Sequence, residues 1–209
     1  KELGCPYKEL PYLINSANFS KLNEIDQDLD HFIDTINKKS TSKEFVSSYL
    51  LPLLYSDKIT NKQIFDLHRK FDTRIKLPTP KKNNNEKIRI GYVSADFTGH
   101  SVGFFLEKLF ENHDKIRFEI YCYFNSSMPD YKTKVFQELS CHWRNIFSKN
   151  DNDVYKLINE DKIDILVDLS GHTAGNRLEV FRKKPAFKQI SWLGYPATTG
   201  LKTIDFRFT

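Results

Sequence analysis

The first 76 residues carry apolar positions at the spacing of amphipathic helices. In FSKLNEIDQDLDHFIDTINKK the apolar side chains recur every three or four residues, at Leu22, Ile25, Leu29, Phe32, Ile33 and Ile36. The same period continues through FVSSYLLPLLYS and NKQIFDLHRKFDTRI, and either Asp57 or Thr60 is suited to cap the last helix. The pattern predicts a helical segment over residues 1–76. Because no repeat with a period near 34 residues is present, any helical-repeat array is expected to lie mostly outside this chain.

A polar stretch, LPTPKKNNNEK, interrupts this pattern at residues 77–87. Its prolines, asparagines and lysines are typical of a linker, because they break helices and bury little apolar surface. We therefore predict a helical segment at residues 1–76, a linker at 77–87 and a second domain at 88–209.

After the linker, strand-like runs alternate with helical patterns. The predicted strands are Ile88–Ser94, Phe118–Phe124, Trp143–Phe147, Ile163–Leu169 and Gln189–Leu193. The predicted helices are Val102–Asn112, Tyr131–Leu139, Asp153–Glu160 and Asn176–Phe181. This alternation predicts an α/β fold with a mostly parallel sheet covered on both faces. In such sheets, ligands bind where the carboxyl ends of the strands meet the loops.

Composition narrows the class of protein without identifying it. The 209 residues are 39% apolar and 14% aromatic, enough for one core or for a medium domain with a smaller companion. No apolar run approaches the roughly 20 residues of a membrane span, and KELGCPYKEL lacks the layout of a signal peptide. Cys5, Cys122 and Cys141 show no CxxC spacing, which argues against a zinc cage or a disulfide framework. We expect a cytoplasmic protein without a membrane partner.

Charge and the first residue add two further expectations. The net charge of +5 is modest, and the lysines are scattered among acids apart from short runs such as Lys81–Lys82 and Arg182–Lys184. Such short runs are typical of solvated surface, so nucleic acid is not an expected partner. The chain begins with Lys instead of Met, which suggests a fragment of a longer protein.

Three loops at predicted strand ends have an unusual composition. They are SADFTGHS after the first strand, DLSGHTAGN after IDILV, and WLGYPATTG after KQIS. All three open on the same edge of a parallel sheet, and each offers glycine together with hydroxyls or amides near a helix start, where anionic groups bind. For any one loop, the glycines are explained by chain turning alone. Three such loops at one edge favour a binding site.

Familiar catalytic motifs are missing from these loops. No GxGxxG occurs, and GYPATTGLKT has leucine where a P-loop has its lysine. Neither Ser101 nor Ser170 lies in a GxSxG elbow, which argues against a hydrolase triad. The acidic residues between Asp26 and Asp30 fall on the polar side of a predicted helix, so we expect no metal site there. A dinucleotide oxidoreductase and a P-loop nucleotidase are both poorly supported.

His100 is the candidate for chemistry in the first loop. Ser101 is able to cap the following helix unaided, so the histidine is surplus to the folding requirement. A histidine at a helix start is commonly a capping or packing residue. Imidazole is also the side chain best suited near neutral pH to accept a proton from an alcohol or to hydrogen-bond a phosphate or sugar hydroxyl. His172 raises the same two interpretations. His31, His68, His113 and His142 lie in ordinary amphipathic surroundings and are assigned no function.

Three segments, in this order and spacing, resemble one known family. RIGYVSADFTGHSV, DKIDILVDLSGHTAGNRL and PAFKQISWLGYPATTGLKTIDFRFT resemble the amino-terminal half of the catalytic region of the O-GlcNAc transferase and Spindly family. SSYLLPLLYSDKITNKQIFDLHRKF resembles the helical segment that joins that family's tetratricopeptide repeats to its catalytic core. The resemblance covers about residues 47–209. It implies a GT-B type glycosyltransferase whose Rossmann-like amino-terminal half is this domain, moving a sugar from a nucleotide sugar to protein serine or threonine.

The resemblance assigns site residues one by one. His100 takes the place of the family's histidine beside the donor sugar and the acceptor hydroxyl, which is discussed as a general base. The substrate-binding positions that it implies are Asp96, His172, Thr173, Leu193, Gly194, Tyr195, Pro196 and Thr199. His172 departs from the animal enzymes, which usually have tyrosine there, and is closer to the Spindly and bacterial branch. No cofactor or metal is implied; the donor is UDP-GlcNAc or GDP-fucose, and the acceptor is a protein or peptide.

The family's fold implies that a second half is missing. In that fold a second α/β domain holds most of the nucleotide and a lysine that neutralises the diphosphate leaving group, and the chain ends at Thr209 before that domain. We expect this chain alone to be inactive. Two functions stay open: half of a protein O-glycosyltransferase, or a non-catalytic protein-binding module built from the helical segment and the α/β domain. The sequence beyond Thr209 discriminates between them.

Overall fold

The computed structural model describes residues 29–37, 43–72 and 79–209. The chain forms two compact units, residues 1–73 and 74–209. The apolar positions predicted at Leu22 and Ile25 lie outside the described residues, as do residues 77 and 78 of the predicted linker.

The described part of the first unit is helical. It contains α1 (Leu29–Asn37), α2 (Lys43–Leu53) and α3 (Asn61–Lys70), which pack against one another. Thr60, one of the two predicted caps, begins α3 with a capping box. Its hydroxyl accepts from the Gln63 amide at 3.3 Å, and the Gln63 side chain accepts from the Thr60 amide at 2.9 Å. Two of the amides that a helix start leaves unpaired are thereby satisfied.

The second unit is a six-stranded sheet with helices between its strands. In chain order its elements are β1 (Ile88–Ser94), α4 (Ser101–Glu111), β2 (Phe118–Phe124), α5 (Tyr131–Leu139), β3 (His142–Asn145), α6 (Asp151–Glu160), β4 (Ile165–Asp168), α7 (Leu178–Arg182), β5 (Lys188–Ser191) and β6 (Phe206–Arg207). The strand order is β3-β2-β1-β4-β5-β6, and every neighbouring pair is parallel. This is the doubly wound, Rossmann-like order, and it reverses between β1 and β4.

Both faces of the central strand β1 are buried, which explains its continuous run of strand-forming residues. Ile90 and Tyr92 belong to the same buried cluster as Leu106 and Phe110 of α4. Burying a side chain such as Leu106 stabilises the fold by about 1.5–3 kcal/mol. On the opposite face, Gly91 lies so close to its neighbours that an added Cβ would stand 2.9 Å from the side chains of β2 and β4.

The strands and helices predicted for residues 88–209 are present, with ends shifted by one or two residues at most. β1, β2 and α5 have the predicted bounds, whereas β4 and β5 are shorter than predicted. The flanking apolar residues Ile163 and Leu169 lie outside β4, although Leu169 still donates its amide to Val93 O at 3.2 Å. β6 was not predicted, because two exposed residues give no periodic signal.

The described part of the predicted linker is fastened to the second unit. Asn83 donates its side-chain amide to Ile163 O at 3.2 Å, and Asn85 donates to Lys162 O and to an Asp164 carboxylate oxygen, both at 2.8 Å. The asparagines therefore attach this segment to the turn before β4. Within the described ranges, no helix is both long enough and apolar enough to cross a membrane.

Candidate active site

The loops that follow β1, β4 and β5 lie at one edge of the second unit. All six strands run in the same direction, so their carboxyl ends share that edge. β1 and β4 are neighbours on either side of the point where the strand order reverses, which is where such sheets bind ligands. The three loops singled out by composition therefore surround the expected crevice.

His100 is the N-cap residue of α4. Its backbone is extended, with φ −103° and ψ 158°, and its Nδ1 accepts from the Val102 amide at 3.3 Å. The prediction that Ser101 caps this helix is wrong: Ser101 is the first helical residue, and the imidazole nitrogen takes the role that a serine oxygen usually has. His100 is therefore not surplus to folding. Its side chain is still 51% exposed, so the ring is also accessible to a substrate.

Asp96 lies beside His100. Its Oδ2 is 3.9 Å from His100 Nδ1, and its backbone amide donates to Ser94 Oγ at 2.9 Å. Partial burial raises the pKa of the Asp96 carboxyl, and a charge on His100 opposes that rise. Asp96 and the Val102 amide thus face the same nitrogen of the ring. The amide donates to that nitrogen only when the nitrogen carries no proton, whereas a hydrogen bond to the carboxylate would need a proton on it.

Asp130 fixes the loop that carries His100. Its carboxylate caps α5 by accepting from the Lys132 and Thr133 amides at 2.9 and 3.1 Å, and it also accepts from the Gly99 amide at 2.6 Å. These backbone hydrogen bonds, that of Gly99 first, lower the pKa of Asp130. The Thr133 hydroxyl donates to Phe97 O at 2.8 Å. The residue before His100 is therefore attached to the next helix along the chain.

The loop after β4 turns around a buried carboxyl, that of Asp168. It accepts from the Ser170 and Gly171 amides at 3.0–3.1 Å and from Ser191 Oγ at 3.2 Å. Burial raises the pKa of Asp168 to about 6, although these hydrogen bonds act in the opposite direction. Gly171 adopts φ +55°, and a Cβ there would lie 2.2 Å from Tyr195 Cβ. Only glycine allows this turn to pack against the loop after β5.

His172 joins the same two loops. Its ring is 3% exposed, its Nε2 donates to Thr199 O at 2.9 Å, and its centroid is 5.3 Å from that of Tyr195 in an edge-to-face arrangement. Gly194 packs equally closely, since a Cβ there would lie 1.9 Å from Leu169 O. His172, Tyr195, Thr199 and Gly194 thus form one packed group beneath the edge.

The remaining predicted positions lie around this group. Thr173 donates its hydroxyl to Ser170 O at 2.8 Å, Leu193 is partly buried with φ +70°, and Pro196 is exposed. The structure therefore separates the nine predicted residues into two sets at one edge. His100 and Asp96 are on β1's loop, and the other seven are on the loops after β4 and β5.

Contacts between the loops connect these sets. A Cβ at Gly175 would lie 2.8 Å from Ala95 Cβ, and Gly175 O accepts from the Asn125 side chain at 2.7 Å. Arg177 in turn donates to Asn125 Oδ1 at 2.9 Å and to Asp151 Oδ1 at 2.8 Å. The carboxyl edge is thus one connected framework that includes the ends of β1, β2 and β4.

A comparison with protein families identifies the family of this chain. The family model described as glycosyl transferase family 41 matches residues 58–209. The chain belongs to glycosyl transferase family 41. The match covers the whole of the described sheet, including all three loops.

Curated relatives of this family-41 chain include plant proteins. It is 36% identical over 171 residues to the probable UDP-N-acetylglucosamine–peptide N-acetylglucosaminyltransferase SPINDLY of Solanum lycopersicum and 39% identical to that of Oryza sativa subsp. japonica, each match covering 77% of this chain and 18% of the relative. It is 34% identical over 135 residues to the SEC protein of Arabidopsis thaliana. The chain therefore spans about a fifth of the length of these relatives.

A solved structure has the same fold as this family-41 chain. A mutant of the Thermobaculum terrenum O-GlcNAc transferase superposes with a TM-score of 0.79 at 28% identity, over 89% of this chain and 37% of that one. The fold is therefore that of an O-GlcNAc transferase of the GT-B type, preceded by helices.

Several residues that stabilise the carboxyl edge of the sheet were not identified from the sequence. Asp130, Asn125 and Arg177 stabilise the loops through partners 31 to 52 positions away along the chain, which local patterns do not reveal. Asp168 carried a visible signal, since an aspartate two residues before Ser170 at a strand end is typical of a side chain that accepts from the backbone two residues on. Within the described residues, no group of three or more His, Cys, Asp or Glu is arranged to hold a metal ion.

Proposed function

We propose that this chain forms the amino-terminal half of the catalytic cleft of a protein O-glycosyltransferase, which transfers a sugar from a nucleotide sugar to a serine or threonine hydroxyl. The observation that carries the proposal is the exposed His100 ring, held at a helix start beside the point where the strand order reverses. Family membership supplies the reaction class.

His100 acts by orienting the acceptor, not by removing its proton. Because Nδ1 accepts from the Val102 amide, the ring carries its proton on Nε2. An Nε2–H group donates a hydrogen bond to an acceptor hydroxyl or to a donor oxygen and fixes its position. Positioning of this kind contributes to catalysis by lowering the entropy cost of bringing the two reactants together. General-base action requires the proton to move to Nδ1, which breaks the cap and turns that nitrogen toward Asp96.

The packed group around His172 and Tyr195 serves as the floor of the cleft. His172 is buried and bonded to Thr199 O, so its role is to hold the loops after β4 and β5 together. Pro196 and Leu193 on those loops are at least partly accessible, and they are the positions where the donor contacts this half. UDP-GlcNAc is the proposed donor because UDP-N-acetylglucosamine is part of the names of the plant relatives, and GDP-fucose is the alternative donor to be tested.

Leaving-group stabilisation is proposed to come from outside these 209 residues. Negative charge builds on the departing diphosphate and needs fixed positive or hydrogen-bonding groups. Arg177, a guanidinium at this edge, is only 13% exposed and is already bound to Asp151 and Asn125. The chain covers less than a fifth of its plant relatives, so the second wall of the cleft is assigned to the remainder of the gene product.

Transfer of labelled sugar to a peptide tests the proposal. The full-length gene product, this chain alone, and full-length His100→Asn and His100→Ala variants are each incubated with UDP-GlcNAc and, separately, with GDP-fucose. Asparagine caps helices well, so His100→Asn keeps the cap and removes only the ring. We expect transfer by the full-length product, none by the chain alone, and a loss of about 100-fold in His100→Asn.

Two results would count against this function. A full-length product that transfers neither sugar yet binds a protein partner supports the non-catalytic binding module. A fully active His100→Asn variant would show that His100 only caps α4 and takes no part in transfer.

A further inference from the structure

A cavity lies at the opposite edge of the sheet from His100. It has a volume of about 270 Å³ and is bounded by Thr79–Asn83, by the end of α6 and by the residues that follow α7. These segments lead into β1, β4 and β5, so the cavity lies beside the amino ends of the strands. Its size is close to the lower limit of small-ligand pockets, about 300 Å³.

Lysines dominate the charged lining of this cavity. Lys81, Lys162, Lys183 and Lys184 line it, together with Tyr155 and polar side chains, and among the described residues of the lining none is acidic. Lys184 donates to Asp205 Oδ2 at 2.7 Å and to Thr203 O at 3.0 Å. Lys183 donates to Asn152 Oδ1 and lies 5.9 Å from the centre of the Tyr155 ring. Two ammonium groups are thus held in fixed positions.

The other two lysines lack a carboxylate partner within the described part of the chain. Lys81 and Lys162 are both exposed, and no ion pair of either is formed there. Asp161, the carboxylate nearest in sequence to Lys162, is already paired: it accepts from the Tyr123 hydroxyl at 2.8 Å and from the Arg144 guanidinium at 2.9 and 3.2 Å. Their charges are therefore available to a ligand.

Backbone geometry makes two of these lysines unusual. Lys162 has φ +49° and Lys184 has φ +53°, each just after the C-cap of a helix. Glycine or asparagine normally occupies this left-handed position, because a Cβ is disfavoured there. Both helices instead place lysine at the disfavoured position, and both lysines line the same cavity.

The partial negative charges at the C-terminal ends of α6 and α7 do not neutralise the positive charge of the four lysines. Each helix C-terminus contributes at most about half a negative charge, and Asp205 contributes one more, so a net charge of about +2 faces the cavity. Like charges held together without a counterion repel one another, and a multivalent anion relieves that repulsion.

We propose that this cavity, defined by Lys81, Lys162, Lys183 and Lys184, binds a small ligand that carries a diphosphate group. The diphosphate lies between the four ammonium groups, and Tyr155 forms a flat wall for whatever the diphosphate is attached to. This site is separate from the proposed glycosyl-transfer edge and does not depend on it.

Calorimetric titration of the full chain with inorganic pyrophosphate, at fixed ionic strength, tests the proposal. The site variant is the double substitution Lys81→Ala with Lys162→Gly, and the control is Lys134→Ala on the exposed side of α5. We expect binding by the wild-type chain, unchanged binding by the control, and binding at least about tenfold weaker in the site variant. Because Lys162→Gly relieves a positive φ, the thermal midpoint of the site variant without ligand should not fall.

A parallel titration with uridine diphosphate identifies the source of the diphosphate. Only the fraction of binding lost in the site variant is assigned to this cavity. If uridine diphosphate binds this cavity more tightly than pyrophosphate does, and Tyr155→Leu weakens that binding, the ligand is a nucleoside diphosphate. If uridine diphosphate and pyrophosphate bind equally tightly, the ligand is inorganic diphosphate. Absence of pyrophosphate binding at millimolar concentration, or equal binding by the site variant and the control, would overturn the proposal.

Discussion

The Nε2 atom of His172 donates a hydrogen bond to the backbone oxygen of Thr199 at 2.9 Å, across 27 residues of sequence. Both groups are buried, and the ring also contacts Tyr195 edge to face. This one side chain therefore connects the loop after β4 with the loop after β5. Its removal should loosen the floor of the proposed cleft.

Two substitutions at His172 separate the hydrogen bond from the packing. His172→Phe keeps an aromatic ring but leaves Thr199 O without its donor, which should cost about 1–3 kcal/mol of unfolding free energy. His172→Ala also leaves a cavity and should cost about 2–5 kcal/mol. Urea unfolding measures both values. Equal losses for the two variants would show that the ring's volume contributes nothing.

A similar test applies to Gly194. Alanine there would place its Cβ 1.9 Å from Leu169 O, a backbone atom that cannot move without distorting the end of β4. We expect Gly194→Ala to cost more than about 3 kcal/mol or to prevent folding. Gly99→Ala is the matched control, because its Cβ would meet only the ends of the Asp130 and Tyr131 side chains, at 3.2 Å or more. A folded Gly194→Ala variant as stable as Gly99→Ala would contradict the close contact.

Local sequence patterns were sufficient for most of the fold. β1 and β2 have seven residues each and are buried toward their carboxyl ends, so their apolar runs stand out and their bounds were predicted correctly. Ile163 and Leu169 extended the predicted β4 because they are buried like strand residues while lying outside the ladder. Burial and strand pairing are different properties, and hydrophobic pattern reports only the first.

The sequence predicted that three loops meet at one edge of the sheet, which the fold confirms, but it did not predict the contacts within them. Glycine and hydroxyl composition located the edge, yet the choice of Ser101 as the helix cap was wrong. Serine is the more common cap, but the backbone turns from extended to helical one residue earlier, at His100. Asp130 was missed because its link to Gly99 joins residues 31 positions apart. Such contacts depend on the folded sheet and have no local signature.

The buried carboxyl of Asp168 predicts an effect of pH on stability. Burial raises its pKa to about 6 in the folded chain, above the unfolded value near 3.9, so the folded state binds more protons between these values. Stability should therefore fall as the pH rises from about 4 to 6, and above pH 6 the ionised carboxyl costs about 3 kcal/mol. The Asp168→Asn variant has no carboxyl at this position, so its stability lacks this dependence on pH. Chemical unfolding of both proteins from pH 4 to pH 8 should show a fall in stability over pH 4–6 for the wild-type protein that is absent in the variant.

Asp130 should show the opposite dependence on pH. Its folded pKa is lowered, mainly by the Gly99 amide, so its stabilising effect is present above the unfolded pKa near 3.9 and is lost as the pH falls through the lower folded value. Asp130→Ala removes the cap of α5 and should cost about 1 kcal/mol at pH 7. Asp130→Asn, which still caps, should cost less. Thermal midpoints of the wild-type protein and both variants at pH 7 and pH 3 test this. If Asp130→Ala lowers the thermal midpoint equally at both pH values, the effect does not come from the carboxylate charge.

Asp96 decides how His100 acts. If the ring keeps Nδ1 bonded to the Val102 amide, Asp96 at 3.9 Å does not share in the chemistry, and Asp96→Asn in the full-length product should lower kcat less than tenfold. KM should rise if Asp96 contacts a substrate hydroxyl, as the family resemblance implies. If His100 is instead a general base, its Nδ1 proton needs the Asp96 carboxylate, and Asp96→Asn should lower kcat about as far as His100→Asn. Steady-state kinetics with peptide and donor varied separately, across pH 5.5–8.5, distinguishes the two. We expect a rise in KM with kcat largely kept, and a matching loss of kcat in both variants would replace the orienting role with an aspartate–histidine pair.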